Sequence, residues 1–138
     1  MSVKPHKLKF HGCWRETETN IIFSTSGVYG IYAYRKIDKR MRLMYIGESN
    51  NVQNRIEQHK EQASWRNKLQ KGEEFRFNAA FIPPPERNRK HIEAAMIYQH
   101  KPPHNVEYTD NFPFDTITIE TSGENICMKN RFTVYRTE

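Results

Sequence analysis

Two proline clusters set the strongest limits on how this chain folds. Pro83-Pro84-Pro85 separates a strand-like segment from a helix-like one, and Pro102-Pro103 follows the helix-like segment. Proline is tolerated at the start of a helix, but it disfavours the helical conformation in the residue before it. The two clusters therefore predict a helix from about Pro85 to His100.

Five short runs rich in β-branched and aromatic residues predict strands. The first two form a hairpin, the third precedes the first proline cluster, and the last two form a small hairpin in the tail. Their ranges are 28–35, 42–46, 75–82, 116–119 and 132–135. We also expect a short strand near residues 20–23, inside an N-terminal extension.

Two further helices are predicted between the second and third of these strands. Gly47 ends the second strand, and a polar residue among 49–51 can cap a helix that reaches about Lys60. A second helical stretch covers about 63–70. This order is an α+β layout, so we expect a small central antiparallel sheet of about three strands flanked by about three helices, with an extra C-terminal β-hairpin.

The composition favours a cytoplasmic protein with a phosphate-rich partner. Lys and Arg number 22 against 16 acids, which gives a formal net charge of +6 and is typical of nucleic-acid binding without proving it. No apolar run approaches the ~20 residues that span a bilayer, and no signal-peptide core follows the start. Two cysteines, Cys13 and Cys127, do not make a disulfide scaffold. Zinc is rejected because His100 and His104 lack a matching ligand spacing.

The basic residues concentrate in the turn of the first predicted hairpin. Five of eight consecutive positions are basic: Arg35, Lys36, Lys39, Arg40 and Arg42. A solvated surface is the ordinary interpretation of such a run, but we favour contact with substrate phosphates. A second basic group, residues 87–91, lies where the last helix begins and where cations oppose the helix dipole, and for it too we favour phosphate contact over a solvated surface.

Polar side chains occupy an apolar face of the first predicted helix. Val52, Arg55, Ile56 and His59 share one face, and Arg55 and His59 project side by side because they are four residues apart. Taken alone, Arg55 could extend to the edge of the core and His59 could cap a polar group.

An acid takes a similar position on the helix between the proline clusters. Glu93 lies angularly between Met96 and Ile97, on the apolar sector. A buried carboxylate must find a cation, accept hydrogen bonds or become protonated. Two partners are open at this stage: Arg55, which would give a structural ion pair, and a divalent metal, which would give a reaction centre.

Two tyrosines and a glycine lie on the neighbouring strands of the first predicted hairpin. Core packing is the ordinary expectation for Tyr29 and Tyr45, because tyrosine is common in strands. Gly47, at a strand-to-helix junction, permits positive φ or close approach by a ligand. The helix that begins after it favours an anion such as phosphate, so we place Gly47 among the substrate-binding residues.

In this order, the residues resemble the GIY-YIG nucleases. The resemblance rests on Ser26-Gly27-Val28-Tyr29-Gly30-Ile31-Tyr32, on Tyr45-Ile46-Gly47-Glu48-Ser49, and then on Arg55, His59, Glu93 and Asn105. Valine replaces the isoleucine of the first motif, a loss of one methylene. The resemblance implies a GIY-YIG catalytic domain over about 26–106, an N-terminal extension over 1–25, and a C-terminal β extension over 107–138 packed on the same domain.

The resemblance implies a divalent-metal-dependent DNA endonuclease that hydrolyses phosphodiester bonds in restriction, homing, repair or defence. Its implied catalytic residues are Tyr29, Tyr45, Arg55, His59, Glu93 and Asn105. Glu93 would hold Mg²⁺ or Mn²⁺, Arg55 would contact the scissile phosphate, and His59 would draw the proton from a tyrosine hydroxyl. Tyr29 is our candidate general base, with Tyr45 and a metal-activated water left open.

The alternative is a catalytically inert nucleic-acid-binding module on the same fold. An inert relative would be expected to lose Arg55 or Glu93, and both are present. A structural or protein-interaction role explains neither the charge nor the polar set. DNA is therefore the expected partner, with a homodimer possible and no membrane involved.

Overall fold

A computed structural model describes residues 4–137 of the chain as one mixed sheet with helices on both sides. Within these residues there are six strands: β1 (His6–Arg15), β2 (Gly27–Arg35), β3 (Arg40–Ser49), β4 (Glu73–Phe81), β5 (Ile117–Gly123) and β6 (Arg131–Val134). The four helices of the same region are a 3₁₀ helix (Glu16–Ile21), α1 (Val52–Glu61), α2 (Ala63–Arg66) and α3 (Glu86–His100).

The strands form a single sheet in the order β3-β2-β4-β1-β5-β6. Neighbouring strands are antiparallel except for β1 and β5, which run parallel. The expectation of a small three-stranded sheet is therefore wrong, although the α+β class holds. The tail strands β5 and β6 do pair with each other, but they continue the main sheet instead of forming a separate hairpin.

The strand β1 is the reason for this difference. It inserts between β4 and β5 and so joins the central strands to the C-terminal pair. Only Leu8 and Phe10 of its first half are buried, and charged or polar residues flank them. The strand predicted near residues 20–23 is also wrong, because the 3₁₀ helix runs to Ile21 and Ile22 forms its C-terminal cap.

Successive residues of β2 face two separate hydrophobic cores. Val28 packs into the core that the sheet shares with α3, together with Met96. Tyr29 points to the other face and packs with Phe77 of β4 and Ile56 of α1. Full burial of one such apolar side chain contributes about 1.5–3 kcal/mol to folding. Because side chains alternate between the two faces of β2, Tyr29 lies on the same side of the sheet as α1.

The ends of α1 and α3 follow their local sequence. Asn51 caps α1, since its side chain accepts a hydrogen bond from the backbone N–H of Asn54 at 3.0 Å. The helix α3 begins directly after Pro85 and ends at His100, and its C-terminal cap, Lys101, has a left-handed φ of 46° and precedes Pro102. The helix predicted between the proline clusters is confirmed. No helix within residues 4–137 is long and apolar enough to cross a membrane.

Candidate active site

A buried tyrosine and a histidine form the centre of the candidate site. The hydroxyl of Tyr29 on β2 lies 2.8 Å from Nε2 of His59 on α1. Burial raises the pKa of Tyr29 far above its ordinary value and lowers the pKa of His59 to about 4. Both groups are therefore neutral at neutral pH. The other ring nitrogen of His59, Nδ1, is buried without a hydrogen-bond partner among the described residues.

Tyr45 and Trp65 enclose this pair. The Tyr45 ring lies 6.4 Å from the Tyr29 ring and 5.7 Å from the His59 ring, measured between centroids. Trp65 of α2 packs edge-on against Tyr45 at 5.1 Å and His59 at 5.0 Å. Burial, reinforced by the carboxylate of Glu93, raises the pKa of Tyr45. Trp65 was not predicted as a site residue, because a single aromatic in a short helix has the same sequence pattern as an ordinary core residue.

Gly47 packs directly against the phenol of Tyr29. A Cβ atom at this position would collide with the Tyr29 hydroxyl and lie 2.5 Å from its Cζ. It would also lie 2.9 Å from Cε2 of Tyr45. The close approach predicted for Gly47 is thus made by a side chain of the protein itself, and glycine is needed for the two tyrosines to meet there.

Arg55 is an exposed cation at the edge of the tyrosine and histidine group. It lies on α1, and its charge lowers the pKa of His59. Arg55 has no ion-pair partner within residues 4–137, so the structural ion pair with Glu93 is not formed there. Its guanidinium is therefore available to an anionic ligand.

Glu93 lines an open cavity of about 340 Å³ together with Tyr45 and Asn105. Burial, then the carboxylates of Glu48 and Glu107, raises the pKa of Glu93 to about 7. A backbone hydrogen bond from Glu48 acts in the opposite direction but does not offset them. Glu93 is thus a half-buried acid that is close to half-ionised at neutral pH and that faces other acids.

Asn105 pairs with β3 as a neighbouring strand would. Its side-chain Nδ2 donates to the carbonyl oxygen of Ile46 at 2.9 Å, and its Oδ1 accepts from the N–H of Ile46 at 3.0 Å. These bonds satisfy both backbone groups of a residue on the sheet edge, between Tyr45 and Gly47. Asn105 therefore fixes the part of β3 that carries the site.

A family model described as the GIY-YIG catalytic domain matches residues 28–108, which is more than half of the chain. The chain belongs to the GIY-YIG family. Members of this family are generally endonucleases, so this GIY-YIG chain has a nuclease-type domain, which implies a DNA substrate. The comparisons with curated proteins and with solved structures find no match.

Four of the six residues predicted to act in catalysis meet at this GIY-YIG site around one hydrogen bond. Tyr29, Tyr45 and His59 are in ring contact, and the charge of Arg55 acts on all three. Glu93 acts on the pKa of both tyrosines from α3, and Asn105 shares its cavity.

The basic hairpin turn lies at the far end of β2 from this site. Arg35 lies six positions after Tyr29, which is roughly 20 Å along a strand. Acids hold three of the five predicted substrate-binding cations of the turn. Arg35 bonds Asp38, with Nε at 3.0 Å, Arg40 lies 3.8 Å from Asp38, and Arg42 donates two bonds of 2.9 Å to Glu73. Lys36 and Lys39 are exposed.

The second basic group, at residues 87–91, contains a buried member. Arg89 is only 8% exposed, and its Nε lies 2.5 Å from Oε2 of Glu48. This ion pair joins α3 to the end of β3 and keeps a carboxylate close to Glu93. Arg89 therefore has a partner within the protein, which local sequence could not predict because Glu48 is 41 residues away.

Proposed function

We propose that this GIY-YIG protein is an endonuclease that hydrolyses phosphodiester bonds in DNA with a divalent cation, Mg²⁺ or Mn²⁺. The observation that carries the proposal is the convergence of a neutral Tyr29–His59 pair with the unpaired guanidinium of Arg55. A base beside a free cation is what the attack of water on a phosphodiester requires.

Arg55 binds the scissile phosphate in this proposal. Its planar guanidinium can donate two parallel hydrogen bonds to phosphate oxygens, and no acid of the described chain competes for it. The same contact stabilises the negative charge that grows on the phosphoryl oxygens as water attacks. Lysine would supply the charge without the fork of donors.

Tyr29 and His59 take the proton of the attacking water. The water proton moves to Tyr29 Oη as the phenolic proton moves to Nε2 of His59. The new bond joins the water oxygen to phosphorus, and the bond from phosphorus to the 3′ oxygen breaks. A free His59 with a pKa of about 4 is a weak base. The bound phosphate brings negative charge beside it, which raises that pKa and makes the transfer feasible.

Glu93 suits a divalent cation because of the charges that surround it. Burial, and after it the repulsion from neighbouring carboxylates, raises the pKa of Glu93, and a bound cation would offset both effects. Within residues 4–137, no group of three or more His, Cys, Asp or Glu side chains could hold a metal ion. One carboxylate, with water and substrate oxygens, is the coordination that Mg²⁺ uses at phosphate sites. When bound, the cation would stabilise the leaving oxygen.

Sequencing the ends produced from a mixed DNA substrate tests this function. We expect internal cuts that require Mg²⁺ and that are absent with the Glu93→Gln variant. Random ends would indicate lax specificity, and paired cuts on opposite strands would indicate a symmetric dimer. Intact DNA after incubation with the folded wild-type protein and Mg²⁺ would leave the inert nucleic-acid-binding module as the better description.

A further inference from the structure

The open face of β1 lies on the same side of the sheet as Tyr29. His11 is the register partner of Ala79, and Ala79 is the register partner of Tyr29, so the three side chains point to one side. Lys7 and Lys9 precede His11 at two-residue spacing and share its face. All three β1 side chains are exposed, while Leu8 and Phe10 between them are buried on the opposite face.

Three aromatic rings form a continuous strip that ends at β1. The Phe23 ring lies 5.3 Å from the Phe81 ring, and the Phe81 ring lies 5.8 Å from the His11 ring. Phe23 is 65% exposed, and His11 is exposed as well. We call Phe23, Phe81 and His11 the aromatic strip. A single exposed phenylalanine is ordinary, but two exposed rings on either side of the half-buried Phe81 ring are a surface suited to flat ligands.

The aromatic strip begins beside the helix that carries Arg55. Ser24, the neighbour of Phe23, bonds the side chain of Gln53 at 3.1 Å, and Gln53 is two residues before Arg55 on α1. This bond places the Phe23 end of the strip against α1, so a strand of nucleic acid whose phosphate rests on Arg55 meets the strip by passing α1.

The charge beyond the aromatic strip is positive and available. Lys7 and Lys9 have no ion-pair partner among residues 4–137. The nearest acid across the strand pairing, Glu120, is already bonded to Arg131. An open cavity of about 700 Å³ continues the surface from Lys7, with Glu120, Ser122 and Asn130 in its lining.

We propose that the aromatic strip and the two lysines bind an unpaired segment of the DNA substrate. The inference rests on the proposed function, since the segment belongs to the strand that reaches Arg55. Bases stack on the rings of Phe23, Phe81 and His11, and the backbone phosphates lie on Lys7 and Lys9. A duplex hides the faces of its bases, so only unpaired nucleotides can use the rings. The enzyme therefore prefers DNA with single-stranded nucleotides beside the cut.

Fluorescence anisotropy with labelled oligonucleotides in EDTA tests this binding without cleavage. The probes are a single strand and a duplex of the same sequence. We expect Phe23→Ala to weaken single-strand binding by roughly 5-fold or more, because stacking on one aromatic side chain is worth at least that much. Duplex binding should change by less than about 2-fold, since paired bases do not stack on protein rings. Ile37→Ala, which removes an exposed apolar side chain (91% exposed) from the distant hairpin turn, is the matched control.

The salt dependence of single-strand binding tests the lysines. Each phosphate contact contributes about 0.7 to the slope of log affinity against log salt for a single strand. Lys9→Ala should therefore lower the slope by about 0.7, whereas Lys71→Ala, at an exposed turn before β4, should leave it unchanged. Unchanged circular dichroism and melting temperature verify that the variants fold.

Equal single-strand affinity of Phe23→Ala and wild type would overturn the proposal, as would an equal loss for single strand and duplex. These measurements are independent of catalysis. A protein that cuts duplex DNA but ignores single strands would retain the proposed function and lose this inference. A protein that binds single strands through Phe23 but never cuts would retain this inference and lose the proposed function.

Discussion

The hydroxyl of Tyr29 and Nε2 of His59 share a hydrogen bond of 2.8 Å between two groups that burial keeps neutral. This bond joins β2 to α1 and gives a proton on the phenol one direct acceptor. The chemistry proposed for the site depends on this bond, because a phenol with a raised pKa cannot accept a proton unless it loses its own.

Tyr29→Phe should lower the rate of DNA cleavage by roughly 10²–10⁴-fold, the usual contribution of a general base. The ring and its packing are kept, so the melting temperature should change little. Tyr34→Phe, on the same strand, serves as the control and should cut at the wild-type rate. If Tyr29→Phe cleaved DNA at a rate within a few-fold of wild type, Tyr45 or water would be the general base instead of Tyr29.

Gly47→Ala should impair both stability and cleavage, because the new methyl group collides with the Tyr29 phenol. Overpacking of this kind costs about 1–3 kcal/mol. Thermal unfolding measures the first effect, and a cleavage time course measures the second. A variant with native stability and rate would mean that the two tyrosines do not meet above Gly47 as described.

Glu93→Gln should stabilise the protein at about pH 8 and leave it unchanged at about pH 4. The folded pKa of Glu93, about 7, exceeds its ordinary value of 4.5, so the folded state holds a proton that the unfolded state releases. Wild-type stability is thus complete below pH 4.5 and is lost as the pH rises through 7. After allowance for partial exposure, the variant should gain about 1–2 kcal/mol at high pH.

Added Mg²⁺ should remove that stability difference by binding the wild type alone. Thermal melts of both proteins at the two pH values, with Mg²⁺ and with EDTA, measure it. If Mg²⁺ raised the melting temperature of the Glu93→Gln variant as much as that of the wild type, the cation would bind elsewhere.

At low Mg²⁺, the cleavage rate should rise with pH as Glu93 loses its proton, and the midpoint of this rise should lie near pH 7. Protons and the cation compete for this carboxylate, so the midpoint should stay near 7 while Mg²⁺ is below its dissociation constant and should fall by about one pH unit for each tenfold increase above it. Initial rates across a pH series at several Mg²⁺ concentrations give the midpoints. A midpoint that does not change with Mg²⁺ concentration would mean that a group other than Glu93 titrates.

The grouping of the candidate site could be predicted from sequence because several of its residues interrupt local patterns. Arg55, His59 and Glu93 occupy positions that helical periodicity reserves for apolar side chains, and their order along the chain matches a known motif. A polar side chain in such a position needs a partner or a function, so each residue stands out without coordinates.

The features that could not be predicted depend on contacts between distant parts of the chain. β1 is held by pairing with β4 and β5, and its alternation of Leu8 and Phe10 with polar residues is too short to predict a central strand. Likewise, the run of basic residues hides that Arg42 is bonded to Glu73, 31 residues away. Local patterns therefore predicted α1, α3 and the hairpin. They were wrong about the second helix, which ends at Arg66, and about Gly47, through which β3 continues to Ser49, and they did not predict the sheet that joins these elements.

Nicking of supercoiled plasmid DNA tests the proposed nuclease site most directly. Wild-type protein with Mg²⁺ should convert plasmid to open-circular or linear DNA, and EDTA should stop the conversion. Arg55→Ala and Glu93→Gln should fail to cut, while Arg66→Ala, which loses an ion pair with Glu16 and a cation–π contact with Phe75, should cut normally. Cutting that persists in EDTA, or wild-type rates in the Arg55 and Glu93 variants, would contradict the assignment of this site.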